Sequence, residues 1–212
     1  MDNLKSYADI IKISCEKNEK FHVKQNEIYE DETLIFNSNN ERFIKGQHNL
    51  FNIAALFALA KSFNINYEIV KKVIKEFKGL PHRMEFVRYI NGVPFYNDSI
   101  STIVESTIAD IETLDPDCII VGGMNRGIDY TALIDKIEEK NLKVICMNEV
   151  GELIFNKINV EKYKIDDMAE VVKKAVEISK KCCVLAPAAP SYGFYKNFEE
   201  RGDVFKAEVN KY

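Results

Sequence analysis

A chain of 212 residues, 46% of them apolar, is long enough to bury one sizeable core or two small ones. Its 33 acidic residues outnumber its 29 basic residues, so the net charge is -4 and no global positive field attracts a phosphate backbone. These values exclude a disordered or fibrous chain, and we expect no nucleic-acid partner.

Cysteine and hydropathy patterns limit the class of protein further. The five cysteines include no C-x-x-C pair and are accompanied by only three histidines, which predicts reduced thiols and neither disulfides nor a zinc site. The longest apolar stretch, residues 53–60, is far shorter than the roughly 18–20 residues that span a bilayer. We therefore expect a cytoplasmic protein that is neither secreted nor membrane-spanning.

The first 80 residues predict a mixed segment of helices and strands. An amphipathic pattern over residues 4–14 predicts a first helix, and further helices are predicted over residues 48–62 and 67–77. The helix over residues 48–62 is apolar on most faces, so we expect it to be buried. Short strands are predicted between the helices, at residues 21–23, 27–29, 33–36 and 43–44.

Residues 78–83 predict a domain boundary. Gly79 can end the preceding helix and Pro81 cannot extend one, so we expect domains at residues 1–80 and 81–212. Arg83 stands at this boundary, where a charged side chain can reach a ligand held between two domains.

The pattern changes beyond the boundary. Asn91-Gly92 joins strand-like runs at residues 84–90 and 93–96, which is typical of a β-hairpin. Strands then alternate with helices: strands at residues 118–121, 144–147, 160–163 and 182–186, and helices at 102–113, 130–140, 149–155, 166–180 and 198–209. This alternation predicts an α/β fold with a doubly wound, mostly parallel sheet.

Ligands of such sheets bind at the carboxyl ends of the strands, which nominates the loops at residues 97–99, 122–127, 148 and 187–193. Two of these loops also have a purely structural interpretation. Residues 97–99 could simply cap the next helix. The glycine-rich loop could be a plain turn, or it could bring Arg126 to a carboxylate or phosphate. Ser191 precedes a helix whose N-terminal amides could hold an anion.

Five ordered motifs carry a family resemblance. They are GQHNLFNIAA at residues 46–55, GLPHRME at 79–85, YNDS at 96–99, VGG at 121–123, and a run at 186–203 that ends in KNFEERGD. Together, in this order and spacing, they resemble the Mur ligases of peptidoglycan synthesis, and among them the members that add D-glutamate.

The resemblance implies an ATP-dependent ligase of three domains with a Rossmann-like C-terminal domain. Residues 1–80 would be the incomplete end of the central ATPase domain, and residues 81–212 the whole C-terminal domain. In that family ATP phosphorylates a carboxylate, here that of UDP-N-acetylmuramoyl-L-alanine, and the amine of D-glutamate attacks the acyl phosphate. ATP and Mg²⁺ are the implied cofactors, with the magnesium ligands outside this chain.

The resemblance also assigns site residues by motif position. ATP would be contacted by Asn49, Asn52, Arg83 and Asp98, with Asp98 as acceptor for a ribose hydroxyl. D-Glutamate would be surrounded by Thr102, Arg126, Ser191 and Phe198, with Arg126 binding a carboxylate. Two positions depart from the family pattern: Ile100 stands where many relatives have lysine, and Arg126 stands where lysine is frequent.

No G-x-x-x-x-G-K-[ST] or G-x-G-x-x-G phosphate-binding motif occurs in the sequence, so we expect no ligation by this chain alone. An incomplete first domain would expose apolar surface, which predicts a tendency to self-associate. The alternative hypothesis is a stand-alone, non-catalytic binding or interaction module that keeps the ligase fold.

Overall fold

Ten β-strands and seven α-helices form in the part of the chain that the structure, a computed structural model, describes: residues 10–15, 19–39, 44 and 46–212. The chain divides into two compact units, residues 1–78 and residues 79–212. The division lies between Lys78 and Gly79, two residues before the boundary expected from the sequence. Each unit has its own sheet and its own hydrophobic core.

The N-terminal unit is a small sheet with two helices packed against it. Its elements are β1 (Ile13–Ser14), β2 (Phe21–Lys24), β3 (Glu27–Glu30), β4 (Thr33–Asn37), α1 (Gln47–Ser62) and α2 (Tyr67–Glu76). β1 pairs parallel to β2, whereas β2, β3 and β4 form an antiparallel meander. Phe21, Ile28 and Phe57 are completely buried in its core, which β2, β3 and α1 share.

Three expectations for this unit are corrected by the structure or concern residues that it does not describe. Residues 4–9 of the helix expected at 4–14 lie outside the described residues. Ile13 and Ser14, at its end, form a strand because backbone pairing with β2 outweighs local helical periodicity. For the strand expected at 43–44, Phe43 lies outside the described residues and Ile44 is not in a strand. α1 is not wholly buried, since Leu59 is 57% exposed.

The C-terminal unit begins with a hairpin and continues with alternating helices and strands. Its elements are β5 (Glu85–Ile90), β6 (Val93–Asn97), α3 (Val104–Leu114), β7 (Cys118–Gly122), α4 (Thr131–Glu139), β8 (Lys143–Met147), α5 (Asn148–Phe155), β9 (Lys162–Lys164), α6 (Met168–Ile178), β10 (Cys183–Leu185) and α7 (Phe198–Val209). The sheet order is β5-β6-β10-β7-β8-β9, and only the pairing of β5 with β6 is antiparallel. The prediction of a doubly wound, mostly parallel sheet is confirmed.

Helices cover both faces of this sheet. Alternate side chains of β7 point to opposite faces of the sheet. Ile119 and Val121 pack with α3, α4 and α5, whereas Cys118 and Ile120 pack with α6 and α7. All four residues are fully buried, as expected for a central parallel strand.

The cysteines are mostly buried side chains. All five are free, and four of them are buried. Burial raises the pKa of the Cys146 thiol to about 12, which keeps it protonated and unreactive at neutral pH.

No helix among the described residues has both the length and the apolar character needed to cross a membrane.

The strand order decides where a site can form. β10 lies between β6 and β7, so the loops that follow these three parallel strands emerge side by side at one edge of the sheet. This edge is the carboxyl end of the strands, where doubly wound sheets bind ligands.

Candidate functional site

Backbone hydrogen bonds tie the three adjacent loops to one another. The amide of Asp98, after β6, donates to the carbonyl of Leu185 in β10 over 2.9 Å. The amides of Gly122 and Met124, after β7, donate to the carbonyls of Pro187 and Pro190, each over 2.8 Å. The three loops therefore form one connected surface.

Two glycines allow the β7 loop to pass this closely. Gly122 has a φ of +135°, and a Cβ atom there would lie 1.9 Å from the carbonyl oxygen of Met147. Gly123 has a φ of +151°, and its Cβ would lie 2.2 Å from the carbonyl oxygen of Pro190. A side chain at either position would collide with backbone atoms. The close packing of these loops therefore explains why the sequence has two glycines here.

Arg201, on α7, fills the space beneath these loops and is 1% exposed. Its Nε and Nη2 donate to the Oγ and the carbonyl oxygen of Ser99, over 3.0 and 2.8 Å. Its Nη1 donates to the carbonyl oxygens of Gly122 (3.2 Å) and Ala189 (3.1 Å). One side chain thus joins the loops after β6, β7 and β10.

None of these four acceptors is a carboxylate. All four are neutral oxygens, so they do not neutralise the charge of Arg201. Burial lowers the pKa of its guanidinium to about 10, and Tyr195 acts in the opposite direction. The group is therefore still a cation at neutral pH. A buried cation under the loops favours an anionic ligand above them.

Two candidates for D-glutamate, Thr102 and Arg126, lie in direct contact. Nη2 of Arg126 donates to the carbonyl oxygen of Thr102 over 3.1 Å, across from the β7 loop to the β6 loop. The Arg126 side chain is exposed. It is a surface cation held near the loops by a single hydrogen bond, and a carboxylate could compete for it.

The other two candidates, Ser191 and Phe198, lie after β10. Ser191 is 3% exposed, and its carbonyl oxygen accepts hydrogen bonds from the amides of Phe194 and Tyr195. Phe198 is half-buried, and its carbonyl oxygen accepts a 2.8 Å hydrogen bond from the Oγ of Ser99. Phe198 is thereby tied to the loop after β6.

Arg83 and Asp98, expected on the nucleotide side, are also brought together. The amide of Met84, next to Arg83, donates to Oδ1 of Asp98 over 3.1 Å. Arg83 is exposed, whereas Asp98 is 3% exposed. The amide of Ile100, at the position where relatives have lysine, donates to the carbonyl oxygen of His82 over 3.2 Å.

His82 holds the segment before β5 against the loop after β6. It adopts a left-handed backbone with a φ of +61°, and its amide donates to Oε2 of Glu85 over 2.8 Å. The side-chain amide of Asn97 lies 3.0 Å from Nδ1 of His82 and donates to Glu85 over 3.2 Å. Within the motif GLPHRME, His82 and Glu85 therefore hold the backbone on either side of Arg83 in place.

Asn49 and Asn52, the remaining ATP candidates, lie on α1 in the N-terminal unit. The side-chain amide of Asn52 donates to Oδ1 of Asn49 over 3.2 Å. One turn of helix separates the two residues, so both face the same side of α1.

One structural interpretation of the loops is wrong, and one functional interpretation loses support. Residues 97–99 do not cap α3, which begins at Val104 and has no side-chain cap. The N-terminus of α7 is not open to an anion as expected near Ser191, because Asn197 caps it with a hydrogen bond to the amide of Glu200. Acidic side chains in that first turn would also repel an anion.

The described residues contain no group of three or more histidine, cysteine, aspartate or glutamate side chains arranged to hold a metal ion.

Sequence reasoning missed two residues of this region, Arg201 and Asp110. Asp110 lies on the buried face of α3 with Thr107 and Ile111. A charged residue at an apolar helix position was the signal that could have found it. Arg201 had a similar signal, because it lies four residues before the buried Phe205 on α7.

The chain is similar to curated ligases over most of its length. It is 32% identical over 216 residues to the UDP-N-acetylmuramoylalanine–D-glutamate ligase of Caldicellulosiruptor saccharolyticus, covering 94% of this chain and 47% of that protein. It is 36% identical over 191 residues to the ligase of the same name from Clostridioides difficile, covering 85% of this chain and 42% of that protein. The chain is a homologue of the Mur ligases.

The chain thus spans less than half the length of these curated relatives. No protein-family model matches it.

Solved structures of Mur ligases share its fold. The UDP-N-acetylmuramate-alanine ligase of Thermotoga maritima superposes with a TM-score of 0.64 at 14% identity, covering 92% of this chain and 47% of that one. A pseudomurein peptide ligase type C from Methanothermus fervidus gives a TM-score of 0.61 at 13% identity, covering 89% of this chain and 42% of that one. At these identities the likeness concerns the fold alone.

Proposed function

We propose that this chain is part of an ATP-dependent ligase that joins D-glutamate to UDP-N-acetylmuramoyl-L-alanine. Residues 79–212 would be its C-terminal, amino-acid-binding domain, and residues 1–78 would belong to its central ATPase domain. The observation that carries the proposal is the joining of three loops at the carboxyl edge of the sheet above the buried cation of Arg201.

The charges of D-glutamate suit this surface. The amino acid brings two carboxylates to a chain of net charge -4, so local cations are needed to offset repulsion and desolvation. Arg126 offers a planar fork of donors that fits a carboxylate, and the nearby Thr102 and Ser191 offer hydroxyl groups. Phe198 supplies an apolar wall for the methylene carbons of the substrate.

The nucleotide side has complementary groups. Arg83 is an exposed cation suited to phosphate oxygens, and Asp98 beside it is an acceptor suited to a ribose hydroxyl. The family resemblance also assigns Asn49 and Asn52, on α1, to ATP, and their side-chain amides carry donors and acceptors suited to a nucleotide. Bound ATP would supply the phosphoryl group that activates the acceptor carboxylate, and these side chains would orient the nucleotide.

The experiment is a kinetic comparison in a chimeric ligase, in which this chain replaces the aligned residues of the Clostridioides difficile relative. Arg126→Ala should raise the KM for D-glutamate about ten- to a hundredfold, because a charge-assisted hydrogen bond of roughly 1.5–3 kcal/mol is lost. The KM for ATP should change much less. Arg83→Ala should show the reverse pattern.

Arg88→Ala is the matched control, because it removes the same charge from β5, where the guanidinium donates to the carbonyl oxygen of Asn210 over 3.2 Å. Its kinetic constants should equal those of the unmodified chimera. If Arg126→Ala left D-glutamate kinetics unchanged while Arg83→Ala impaired them, the assignment of the two loops would be wrong.

A further inference from the structure

Asp110 is a buried acid in an apolar helix face. Its side chain, on α3, is completely buried. Neither of its carboxyl oxygens has a hydrogen-bond partner among the described residues when both are treated as acceptors. Burying an ionised carboxylate without a hydrogen-bond donor costs much free energy. The protonation state of Asp110 therefore has to be derived from its neighbours.

The polar neighbours of Asp110 are Asp98 and Ser101. The hydroxyl groups of Ser101 and Thr107 are 2.8 Å apart, and either can be the donor. The hydroxyl of Thr107 has a second acceptor, the carbonyl oxygen of Ala186, at 3.4 Å. When Ser101 donates to Thr107, its single proton is not available to Asp110, and when it donates to Asp110 it lowers the pKa of that acid.

Asp98 offers no donor either if it is ionised. Two carboxylates would then face each other in a site where both side chains are at most 3% exposed. The charge of Arg83 acts on Asp110 and favours its ionised form. One proton shared between the carboxyl groups removes the repulsion and supplies the missing donor.

The environment decides which acid carries that proton. Burial raises the pKa of Asp110 well above its usual range, and the charge of Asp98 raises it further, while Ser101 and Arg83 act in the opposite direction. Asp98 already accepts a hydrogen bond from the amide of Met84, which favours its ionised form. An ionised Asp98 is also a stronger acceptor than the neutral hydroxyl of Ser101.

We propose that Asp110 is a positioning residue whose protonated carboxyl group donates a hydrogen bond to Asp98 and fixes the orientation of that carboxylate. Only the role of the fixed carboxylate, which would accept a hydrogen bond from a ribose hydroxyl of the nucleotide, rests on the proposed function. The proton on Asp110 is a property of the chain by itself.

The first test is a pH titration of the purified 212-residue chain by NMR, with ¹³C-labelled aspartate carboxyl groups. The signal of Asp110, identified by its loss in Asp110→Asn, should be that of a protonated acid at neutral pH. In Asp98→Asn its midpoint should move to lower pH, because the neighbouring negative charge is gone. A titration of Asp110 at the ordinary value for aspartate, or one that Asp98→Asn does not move, would overturn the proposal.

The second test measures nucleotide use in the chimeric ligase. Asp110→Asn keeps an N–H donor of similar shape, so the KM for ATP should stay within about threefold. Asp110→Ala removes the donor and should raise that KM about tenfold, with the KM for D-glutamate unchanged. Equal impairment by the two variants would contradict a positioning role.

The two tests fail separately. If Asp110 is protonated and coupled to Asp98 but the unmodified chimera shows no ATP-dependent turnover, the proposed function is contradicted and the carboxyl pair stands. If turnover is normal and Asp110 is ionised, the pair is contradicted and the proposed function stands.

Discussion

Arg201 shows how one buried side chain can hold together the loops of a candidate ligand site. Its four hydrogen bonds reach the loops after β6, β7 and β10, which come together at the carboxyl edge. The same buried charge raises the electrostatic potential at that edge. Stability and ligand preference therefore depend on the same residue.

Arg201→Met should destabilise the chain by at least about 3 kcal/mol, because the carbonyl oxygens of Ser99, Gly122 and Ala189 lose their donor in a buried place. Arg201→Lys keeps the charge but not the planar fork, so its loss should be smaller. Urea denaturation of the three proteins gives the free energies of unfolding. A methionine variant as stable as the wild type would show that these contacts do not hold the loops.

Asp110 should make stability depend on pH. Its pKa is raised in the folded chain, so between about pH 4 and that raised value the folded state binds more protons than the unfolded state. The contribution to stability is complete at low pH and is lost as the pH rises, by at most about 1.4 kcal/mol per pH unit.

Asp110→Asn removes this titration. As the pH rises through this window, the free energy of unfolding should fall in the wild type relative to that of the variant. Urea denaturation at a series of pH values gives the difference. A difference that stays constant with pH would contradict a raised pKa.

At the scale of single elements, local pattern was a good guide where packing agreed with it. The hairpin at Asn91-Gly92, the central strands and α7 lie close to their expected positions, since apolar periodicity and turn residues are both strong there. The short strand at Ile13–Ser14 was not predictable, because its pairing with β2 is tertiary. The role of residues 97–99 also depended on loops distant in sequence, so the local pattern suggested a cap in error.

The same limit applies to the candidate site. Arg126 and Ser191 could be nominated because they follow apolar strands, and the strand order then explains why their loops are neighbours. The contact between Arg126 and Thr102 could not be predicted, since no local signal reports it. Arg201 and Asp110 act through burial, which only the packed structure reveals.

Gly202 tests how tightly α7 packs against the segment before β5. Alanine normally stabilises a helix by about 1 kcal/mol relative to glycine. A Cβ at Gly202 would instead lie 2.2 Å from Nδ1 of His82, so Gly202→Ala should destabilise the chain by about 1–3 kcal/mol. Ala207→Gly, at an exposed position of the same helix, is the control and should cost about 1 kcal/mol. Thermal unfolding would measure both, and a stabilising Gly202→Ala would contradict this packing.

At the scale of the whole molecule, the chain consists of two units with different surfaces. The helices of the N-terminal unit expose large apolar side chains, among them Leu59, Ile69 and Val73, and Phe63 at the end of α1 is exposed as well. Exposed apolar surface of this kind is typical of interaction sites. The expected self-association stays a prediction.

Residues 79–212 should fold without the N-terminal unit, because this part has its own sheet and its own core on both faces. The isolated piece should unfold cooperatively in urea, with the same transition by fluorescence and by circular dichroism. A gradual, non-cooperative transition would show that the two units depend on each other for folding.

We propose above all that this chain supplies the D-glutamate-binding loops of a ligase. The most direct measurement is phosphate release by the chimeric ligase with ATP, UDP-N-acetylmuramoyl-L-alanine and either D-glutamate or L-glutamate. We expect release that depends on D-glutamate and is far slower with L-glutamate, and no release by the 212-residue chain alone. A folded chimera that releases no phosphate with D-glutamate, or that uses both amino acids equally, would contradict the claim.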